Sequence, residues 1–453
     1  MSGWDGQTID ELRGALARGE TTSVRLTEEC LAQIAAHNPR LNALITVTAD
    51  TALSAAHAAD RARAAGAAVS ALHGIPVSLK DLIDQAGVRT TAGSQVRRDV
   101  VATSDAPVTA RLKAAGAVLV GKNNLHEFAF GTTSDDSGFG GVRHPLDDTR
   151  SAGGSSGGSA TAVRAGFSIA SIGTDTGGSI RIPAGVCGVV GLKPGWGEIP
   201  TDGVVPLSRQ LDHVGPLART VTDAWLVHET LAGRAPAATA RLEPVPLRGL
   251  RFGLLAGYFD TRIAPEVRAV VADAVARLVR AGAVIEPVEL PHAADIGPVY
   301  LHLVLGDAAA YHAATLECRP GDYTPAVRLR LEMGRYVLGE DYVRAQRGRE
   351  VIAGEIVAAL EGRAALLCPT LPVTAPPIGA AMVNVGESDE PVRNAMLRLT
   401  QPFNLGRQPT VSLPCGLSPT GLPVGLQIVG ALGATHALLQ VALACEQVVA
   451  PAW

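Results

Sequence analysis

The sequence predicts a single large α/β domain. Predicted strands and helices alternate along most of the chain, which is the pattern of a sheet covered by helices. The length of 453 residues would by itself suggest two or three domains. However, no low-complexity linker or run of like charges divides the chain. We therefore expect one core with peripheral elaborations over residues 1–453.

Residues 1–66 predict a helical N-terminal cover. Thr8–Glu11 forms a capping-box pattern that opens a short helix. The other predicted elements of this part are a helix over 25–36, a strand over 41–48 and an alanine-rich helix over 52–65 that Gly66 ends.

Three further regions follow, namely a motif-bearing core (67–230), a variable helical and α/β region (231–363) and a return to the core sheet (364–453). Strands are predicted at 75–79, 117–122, 251–255, 283–289 and 364–368. Helices are predicted at 109–115, 220–231, 265–280 and 435–448, and residues 296–359 are mostly helical with turns at 320–322.

Composition excludes several classes of function. The net charge of −4 and the lack of a basic stripe argue against a nucleic-acid partner. The N-terminus lacks the charged and apolar segments of a secretion signal. Apolar runs fall short of the roughly 18 to 20 residues that span a bilayer. We expect a soluble, cytoplasmic protein with no membrane partner.

Cysteines and histidines predict no metal site. The six cysteines are scattered, without a C-x-x-C pair or a histidine at ligand spacing, so neither zinc nor a disulfide framework is indicated. We expect no cofactor. The eleven histidines are equally dispersed, and His126 alone is near a motif. A Ser-His-Asp enzyme stays possible, because geometry rather than chain order defines that triad.

Two glycine-serine clusters, 153–159 and 176–179, flank an apolar segment of small residues at 160–172. Glycine lets several backbone N–H groups point one way beside a hydroxyl, which is the layout of an oxyanion hole next to a nucleophile. The alternative is a flexible Gly/Ser linker. The apolar segment, with Arg164 as its one charge, disfavours a linker.

Residues 153–157 also satisfy the G-x-S-x-G pattern of a nucleophile elbow, whose serine follows a strand. The preceding residues 144–150 are polar and turn-like. No strand is predicted to enter this turn, so we reject the elbow.

Four blocks carry a family resemblance: G-I-P-V-S-L-K-D at 74–81, G-G-S-S-G-G-S-A at 153–160, D-T-G-G-S-I-R at 175–181 and G-V-V-G-L-K-P at 188–194. In this order they resemble the amidase signature family, and weaker similarity covers nearly the whole chain. The resemblance implies a large mixed central sheet surrounded by helices. It also implies that the variable region 296–359 covers the substrate cleft and sets specificity.

The resemblance implies a Ser-cisSer-Lys triad. Ser179 matches the nucleophile, Ser155 the bridging serine whose preceding peptide bond is cis, and Lys80 the base. The residues that match the oxyanion hole through their backbone N–H groups are Thr176, Gly177, Gly178 and Ser179.

The residues themselves make this chemistry plausible. A serine needs a neighbouring base, and a lysine is a base only if burial lowers its pKa from about 10.4. Lys80 ends a mostly apolar predicted strand, which favours burial over the alternative of a surface lysine paired with Asp81. For Asp175, Arg181 and Lys193 we expect structural roles that brace the active loop.

Five aromatic residues have two open interpretations, as cleft lining or as core packing. They are Phe128, Phe130, Tyr300, Tyr311 and Tyr323.

The sequence therefore predicts an amidohydrolase that cleaves small-molecule carboxamides, and possible substrates include carbamates (as in a urethanase), esters and anilides. We expect a monomer or homodimer. Ranked second is the A subunit of a glutamine-dependent tRNA amidotransferase, because the end at Trp453 shows no docking extension. A non-catalytic anion-binding protein is a third possibility, disfavoured by the intact triad and the lack of a phosphate-binding fingerprint.

Overall fold

A computed structural model describes residues 6–67, 69–386 and 388–451 of the chain. Residues 1–5 and Trp453 lie outside these ranges. The prediction about a secretion signal depends in part on residues 1–5, and the ranking of the tRNA amidotransferase subunit refers to Trp453.

A mixed sheet of eleven strands runs through the described structure. Its strands are β1 (Leu44–Val47), β2 (Pro76–Lys80), β3 (Val118–Asn123), β4 (Ala170–Asp175), β5 (Val190–Lys193), β6 (His213–Ala218), β7 (Arg251–Leu255), β8 (Val284–Val288), β9 (Ala365–Pro369), β12 (Thr410–Leu417) and β13 (Pro423–Val429). Two short strands, β10 (Met382–Asn384) and β11 (Asp389–Pro391), form a separate pair. The order across the large sheet is β1-β3-β2-β4-β6-β5-β12-β13-β9-β7-β8.

Helices pack against this sheet and against one another. In the described residues they are α1 (Ile9–Arg18), α2 (Ser23–Leu41), α3 (Ala49–Ala64), α4 (Pro107–Ala114), α5 (Gly157–Arg164), α6 (Arg181–Cys187), α7 (Val221–Leu231), α8 (Pro265–Arg280), α9 (Ile296–Cys318), α10 (Pro325–Gly334), α11 (Gly339–Leu360), α12 (Val392–Arg398), α13 (Pro402–Leu405) and α14 (Thr435–Val449). The predicted single α/β domain with a mixed central sheet surrounded by helices is confirmed.

Strands β2 and β4 position the motifs. They are parallel neighbours, with Val77 opposite Ala170 and Leu79 opposite Ile172, and every residue in both is buried. Parallel strands present their carboxyl ends at the same edge of a sheet. Lys80 and Asp175, which end the two strands, therefore lie on the same side of the sheet, and both are buried.

Several local predictions are confirmed. Thr8 and Glu11 form the capping box at the start of α1. The region 296–359 is helical in α9, α10 and α11, with a 3₁₀ turn at Pro320–Asp322. Helix α2 is longer than the predicted 25–36, because Thr22 caps it by accepting the N–H of Arg25.

Two segments differ from their prediction. The run 160–172, treated as one apolar segment, divides into the end of α5 and the start of β4, separated by a turn after Arg164. Strand β6 lies within a stretch for which no strand was predicted. Its sequence, H-V-G-P-L-A, contains glycine and proline, which are both rare in strands, so periodicity gave a weak signal.

No helix in the described part of the chain combines the length and the apolar character needed to cross a bilayer.

Candidate active site

Lys80 is fully buried at the end of β2, and its amine has two hydroxyl partners. Lys80 Nζ donates to Ser155 Oγ and to Thr174 Oγ1, each at 2.8 Å. The alternative of a surface lysine paired with Asp81 is wrong, since the Asp81 carboxylate lies 2.9 Å from the buried Lys122 amine instead. Lys80 and the predicted bridging serine are therefore in direct contact.

Ser155 lies in the loop before α5, and the peptide bond between Gly154 and Ser155 is cis. A Cβ at residue 154 would lie 2.8 Å from the backbone nitrogens of Thr133 and Ser134, so the close approach of two backbones requires glycine there. The Ser155 carbonyl accepts the N–H of His126 and the Ser134 hydroxyl, both at 3.1 Å. The loop that carries Ser155 is thus fixed by the segment 126–134.

Ser179 lies in the loop 176–180, which joins β4 to α6 and is called here the Ser179 loop. The N–H of Ser156 donates to the Ser179 carbonyl at 3.2 Å, so the two glycine-serine clusters are joined directly. The Asp175 carboxylate accepts the N–H groups of Gly178 (2.8 Å) and Ile180 (3.1 Å) from within this loop. The structure therefore brings Lys80, Ser155 and the Ser179 loop together, although they are far apart in sequence.

The backbone donors of the Ser179 loop divide into two groups. In the described residues, no protein acceptor is bonded to the N–H groups of Thr176, Gly177 and Ser179. The N–H of Gly178, in contrast, already donates to Asp175. Of the four expected oxyanion donors, Gly178 is therefore occupied in this conformation, because the carboxylate that shapes the loop uses it.

Burial sets the charge state of Lys80. Desolvation lowers the pKa of Lys80 to about 7, against the opposing fields of the Asp175 and Asp212 carboxylates. A substantial fraction of this lysine is therefore uncharged at neutral pH. An uncharged amine in contact with a serine hydroxyl can accept a proton from it.

Asp175 and Arg181 form a buried pair behind the Ser179 loop. Arg181 Nη2 lies 2.9 Å from Asp175 Oδ1, and both side chains are fully buried. Arg181 also donates to the Thr400 carbonyl, Gln427 Oε1 and Asn404 Oδ1 at 2.6 to 2.8 Å. Although burial acts to raise the pKa of Asp175, Arg181 and the surrounding donors hold that pKa well below its usual value.

Lys193 is buried at the end of β5, and its amine is bonded to backbone carbonyls. Its amine donates to the Gln408 carbonyl at 2.5 Å and lies 3.3 Å from His213 Nε2. Burial, with the field of Arg181, lowers the pKa of Lys193 well below its usual value. Neither Lys193 nor Arg181 contacts Ser155 or Ser179 through its side chain, which agrees with the bracing role expected for them.

Sequence reasoning missed three residues that contact the site. Thr174 is the second partner of Lys80. Asp212 accepts the Thr176 hydroxyl at 2.6 Å, and burial raises the pKa of this carboxyl to about 6. Thr400 donates its hydroxyl to the Gly177 carbonyl at 2.6 Å. Thr174 directly precedes a quoted block, whereas Asp212 and Thr400 come from segments that are distant in sequence from the four blocks.

The described residues form neither a Ser-His-Asp arrangement around His126 nor a metal site. The His126 ring is buried with neither nitrogen hydrogen-bonded, and its nearest carboxylate oxygen, of Asp136, lies 3.8 Å away. Burial lowers the pKa of His126 well below its usual value, so the ring is neutral. In the described ranges, no three His, Cys, Asp or Glu side chains are grouped to hold a metal ion.

The aromatic residues take different roles. Phe128 and Tyr323 pack with His312 in one buried cluster, with Phe128 and His312 ring centroids 4.3 Å apart. Tyr311 is exposed. Tyr300 is buried against Gly177, where an added Cβ would lie 2.3 Å from the Tyr300 hydroxyl. Tyr300 is therefore the aromatic residue in direct contact with the Ser179 loop.

Comparison with known proteins gives consistent matches. The family model described as Amidase matches residues 25–439. The A subunit of glutamyl-tRNA(Gln) amidotransferase from Roseiflexus sp. (strain RS-1) is 40% identical over 475 residues, covering 97% of this chain and 96% of the relative. A solved amidase structure is 38% identical with a TM-score of 0.92, covering 98% of this chain and 100% of that chain. The peptide amidase from Stenotrophomonas maltophilia is 34% identical with a TM-score of 0.85, covering 98% and 97%.

Proposed function

The chain belongs to the amidase signature family, and on that premise we propose that it is a serine amidohydrolase that cleaves the carbon–nitrogen bond of a carboxamide. The observation that carries the proposal is the 2.8 Å contact between the buried Lys80 amine and the Ser155 hydroxyl, beside the Ser179 loop. The lowered pKa of Lys80 supports its role as the base.

In the acylation half of the proposed reaction, Ser155 transfers the Ser179 hydroxyl proton to the neutral Lys80 amine. Ser179 Oγ forms a bond to the substrate carbonyl carbon, and the carbonyl oxygen becomes an oxyanion. The unoccupied N–H groups of the Ser179 loop stabilise that charge. The C–N bond then breaks as the Lys80 ammonium returns its proton through Ser155 to the leaving nitrogen.

In the deacylation half, water attacks the ester carbon and its proton passes to Lys80. The bond between Ser179 Oγ and the acyl carbon breaks, and the proton returns to Ser179. The products are a carboxylic acid and an amine. Because these donors contact the carbonyl oxygen and not the leaving group, carbamates, esters and anilides are chemically accessible substrates.

A second, narrower candidate is the A subunit of a glutamine-dependent tRNA amidotransferase, in which the same triad would release ammonia from glutamine for a partner. Our sequence-based ranking placed it second. The comparisons support it better than a free-standing amidase, since the curated relatives carry that name at 35% to 40% identity over nearly their full length. An isolated chain that hydrolyses simple amides without preference for glutamine would argue against it.

The test of the proposed function is active-site labelling with a fluorophosphonate, read by intact mass and peptide mapping. Wild-type protein is expected to form one adduct, on Ser179, and Ser179→Ala and Lys80→Ala to form none. Ser156→Ala is a matched control that should still label, because its hydroxyl contacts the Thr174 carbonyl and not Lys80. An adduct that persists in Ser179→Ala would refute the assignment of the nucleophile.

Turnover of a panel of L-glutamine, pentanamide and a matched anilide then separates the two candidates. Ammonia release from glutamine alone supports the tRNA amidotransferase candidate. Hydrolysis across the panel supports the general amidase. A protein that labels but hydrolyses nothing would indicate that a partner protein is required.

A further inference from the structure

A pocket of about 590 Å³ lies between the start of α9 and α12. Tyr300 and His302 line it from α9, and Arg393 and Leu397 from α12. This volume is within the range of about 300 to 1,000 Å³ that is typical of sites for small molecules. Several charged residues line the pocket.

This pocket lies beside the Ser179 loop. Tyr300 packs its hydroxyl against Gly177, leaving no room for a side chain there. Gln401 lines the pocket, and the preceding residue, Thr400, donates to the Gly177 carbonyl at 2.6 Å. The pocket therefore adjoins the Ser179 loop at Gly177.

Most charged groups of the pocket are already paired within the protein. Arg262 contacts the Glu390 carboxylate at 3.1 Å. Arg398 donates to the Thr261 carbonyl at 2.8 Å, and the Nδ1 atom of His302 lies 2.8 Å from a backbone carbonyl of its own helix. None of these groups needs a ligand to complete its contacts.

Arg393 differs from them. In the described part of the chain, no ion pair or hydrogen bond reaches its guanidinium, and its Nε atom is buried without a partner. The guanidinium lies 6.0 Å from the ring centroid of Phe130. The backbone carbonyl of Phe130 accepts a bond from Arg330 at 2.6 Å, so a second cation lies on the same aromatic residue. Burial lowers the pKa of Arg393, whose side chain is partly exposed.

A partly buried cation without a protein partner costs free energy that a bound anion recovers. The planar guanidinium matches a carboxylate through two parallel hydrogen bonds. We propose that Arg393 binds a carboxylate carried by the substrate, so that this site selects anionic amides. The proposal rests on the proposed amidohydrolase function and adds a substrate class to it.

Binding to an inactive enzyme tests the proposal without turnover. Ser179→Ala protein is titrated calorimetrically with 4-carbamoylbutanoate, whose carboxylate is in the acyl part, with N-butanoyl-β-alanine, whose carboxylate is in the amine part, and with neutral pentanamide. At least one anionic amide is expected to bind more tightly than pentanamide. Adding Arg393→Met or Arg393→Gln should weaken that binding by about ten-fold or more.

Arg262→Met is the matched control, because it removes a cation of the same pocket whose charge Glu390 already pairs. It is expected to leave the preference for the anionic amide in place. Equal affinity with and without the Arg393 guanidinium, or no binding of either anionic amide, would overturn the proposal. The anionic amide that loses affinity identifies whether the carboxylate belongs to the acyl or the amine part.

Steady-state kinetics of proteins that retain Ser179 distinguish a failure of the carboxylate site from a failure of the proposed function. The ratio of kcat/KM for the preferred anionic amide to kcat/KM for pentanamide should fall by about ten-fold or more in Arg393→Gln. An unchanged ratio contradicts the carboxylate site. Failure to hydrolyse any amide, with binding still dependent on Arg393, contradicts the proposed hydrolysis and leaves the anion site standing.

Discussion

Lys80 shows how one side chain can be both buried and basic. Desolvation favours its neutral form, while the Asp175 and Asp212 carboxylates favour the charged form, and the outcome is a pKa of about 7. Asp175 is already paired with Arg181. In the described structure, no arginine or lysine forms an ion pair with Asp212. Substituting Asp212 can therefore change the pKa of Lys80 without breaking a salt bridge.

We predict that kcat/KM for a neutral amide falls below about pH 7, by roughly ten-fold per pH unit. The sign follows from the requirement for a neutral base, since protonation of Lys80 below its pKa removes the proton acceptor. A pH–rate profile from pH 5 to 9 with pentanamide measures it. In Asp212→Asn the acidic limb should move to lower pH, because losing a nearby negative charge lowers the pKa of Lys80. A profile that is flat through pH 7 would exclude Lys80 as the base.

The same pKa predicts a stability difference. Because the folded pKa of about 7 is below the unfolded value of about 10.4, the unfolded chain binds more protons between these limits, and stability rises with pH there. From pH 7 to pH 9, wild-type protein should gain roughly 2 kcal/mol of unfolding free energy more than Lys80→Met does. Urea unfolding of both proteins at the two pH values measures the difference. The titrating groups that do not interact with Lys80 contribute equally in both proteins, so an equal pH response would contradict the lowered pKa.

At the scale of elements, the β4–α6 connection depends on the buried Asp175–Arg181 pair. Asp175 accepts backbone N–H groups of the Ser179 loop, and Arg181 ties the first turn of α6 to Asn404 and Gln427. The pair therefore joins the loop to α13 and β13, which come from the last part of the chain.

Arg181→Met should destabilise the protein by about 3 to 5 kcal/mol, because it leaves the Asp175 carboxylate buried without its partner. Urea unfolding measures the loss. Arg251→Met is the matched control, since its pair with Glu286 is largely exposed and such pairs contribute at most about 1 kcal/mol. Similar effects of the two substitutions would show that the buried pair does not hold the loop.

The elements that local pattern could predict are those with strong signals of their own. The capping box of α1 and the apolar strand ending at Lys80 are examples, and the glycine-serine clusters indicated where backbone donors would gather. The Gly178 donor could not be judged in advance, because its use by Asp175 depends on how the loop winds. Tyr300 and Thr400 reach Gly177 from distant segments, and such long-range contacts leave no periodic trace in sequence.

At the scale of the whole molecule, the strand order places strands from the end of the chain between those of its first half and those of its middle part. Strands β12 and β13 come from residues 410–429, yet they lie between β5 and β9 in the middle of the large sheet. Strands β7, β8 and β9 continue the sheet beyond β13, so the middle part of the chain is connected to the motif-bearing strands through the last strands. Each of the four predicted regions contributes at least one strand to the large sheet, so none of them contains the whole sheet.

This connectivity predicts one cooperative unfolding transition for the whole chain. A variant that keeps Trp225 of α7 as its sole tryptophan reports on the motif-bearing half by fluorescence, and far-UV circular dichroism reports on all elements. The two urea midpoints should coincide, because β12 and β13 cannot separate without breaking the sheet on both sides. Ending the chain before β12 should abolish folding for the same reason. Two resolved transitions, or a folded truncated protein, would mean that the halves on either side of β12 and β13 are independently stable.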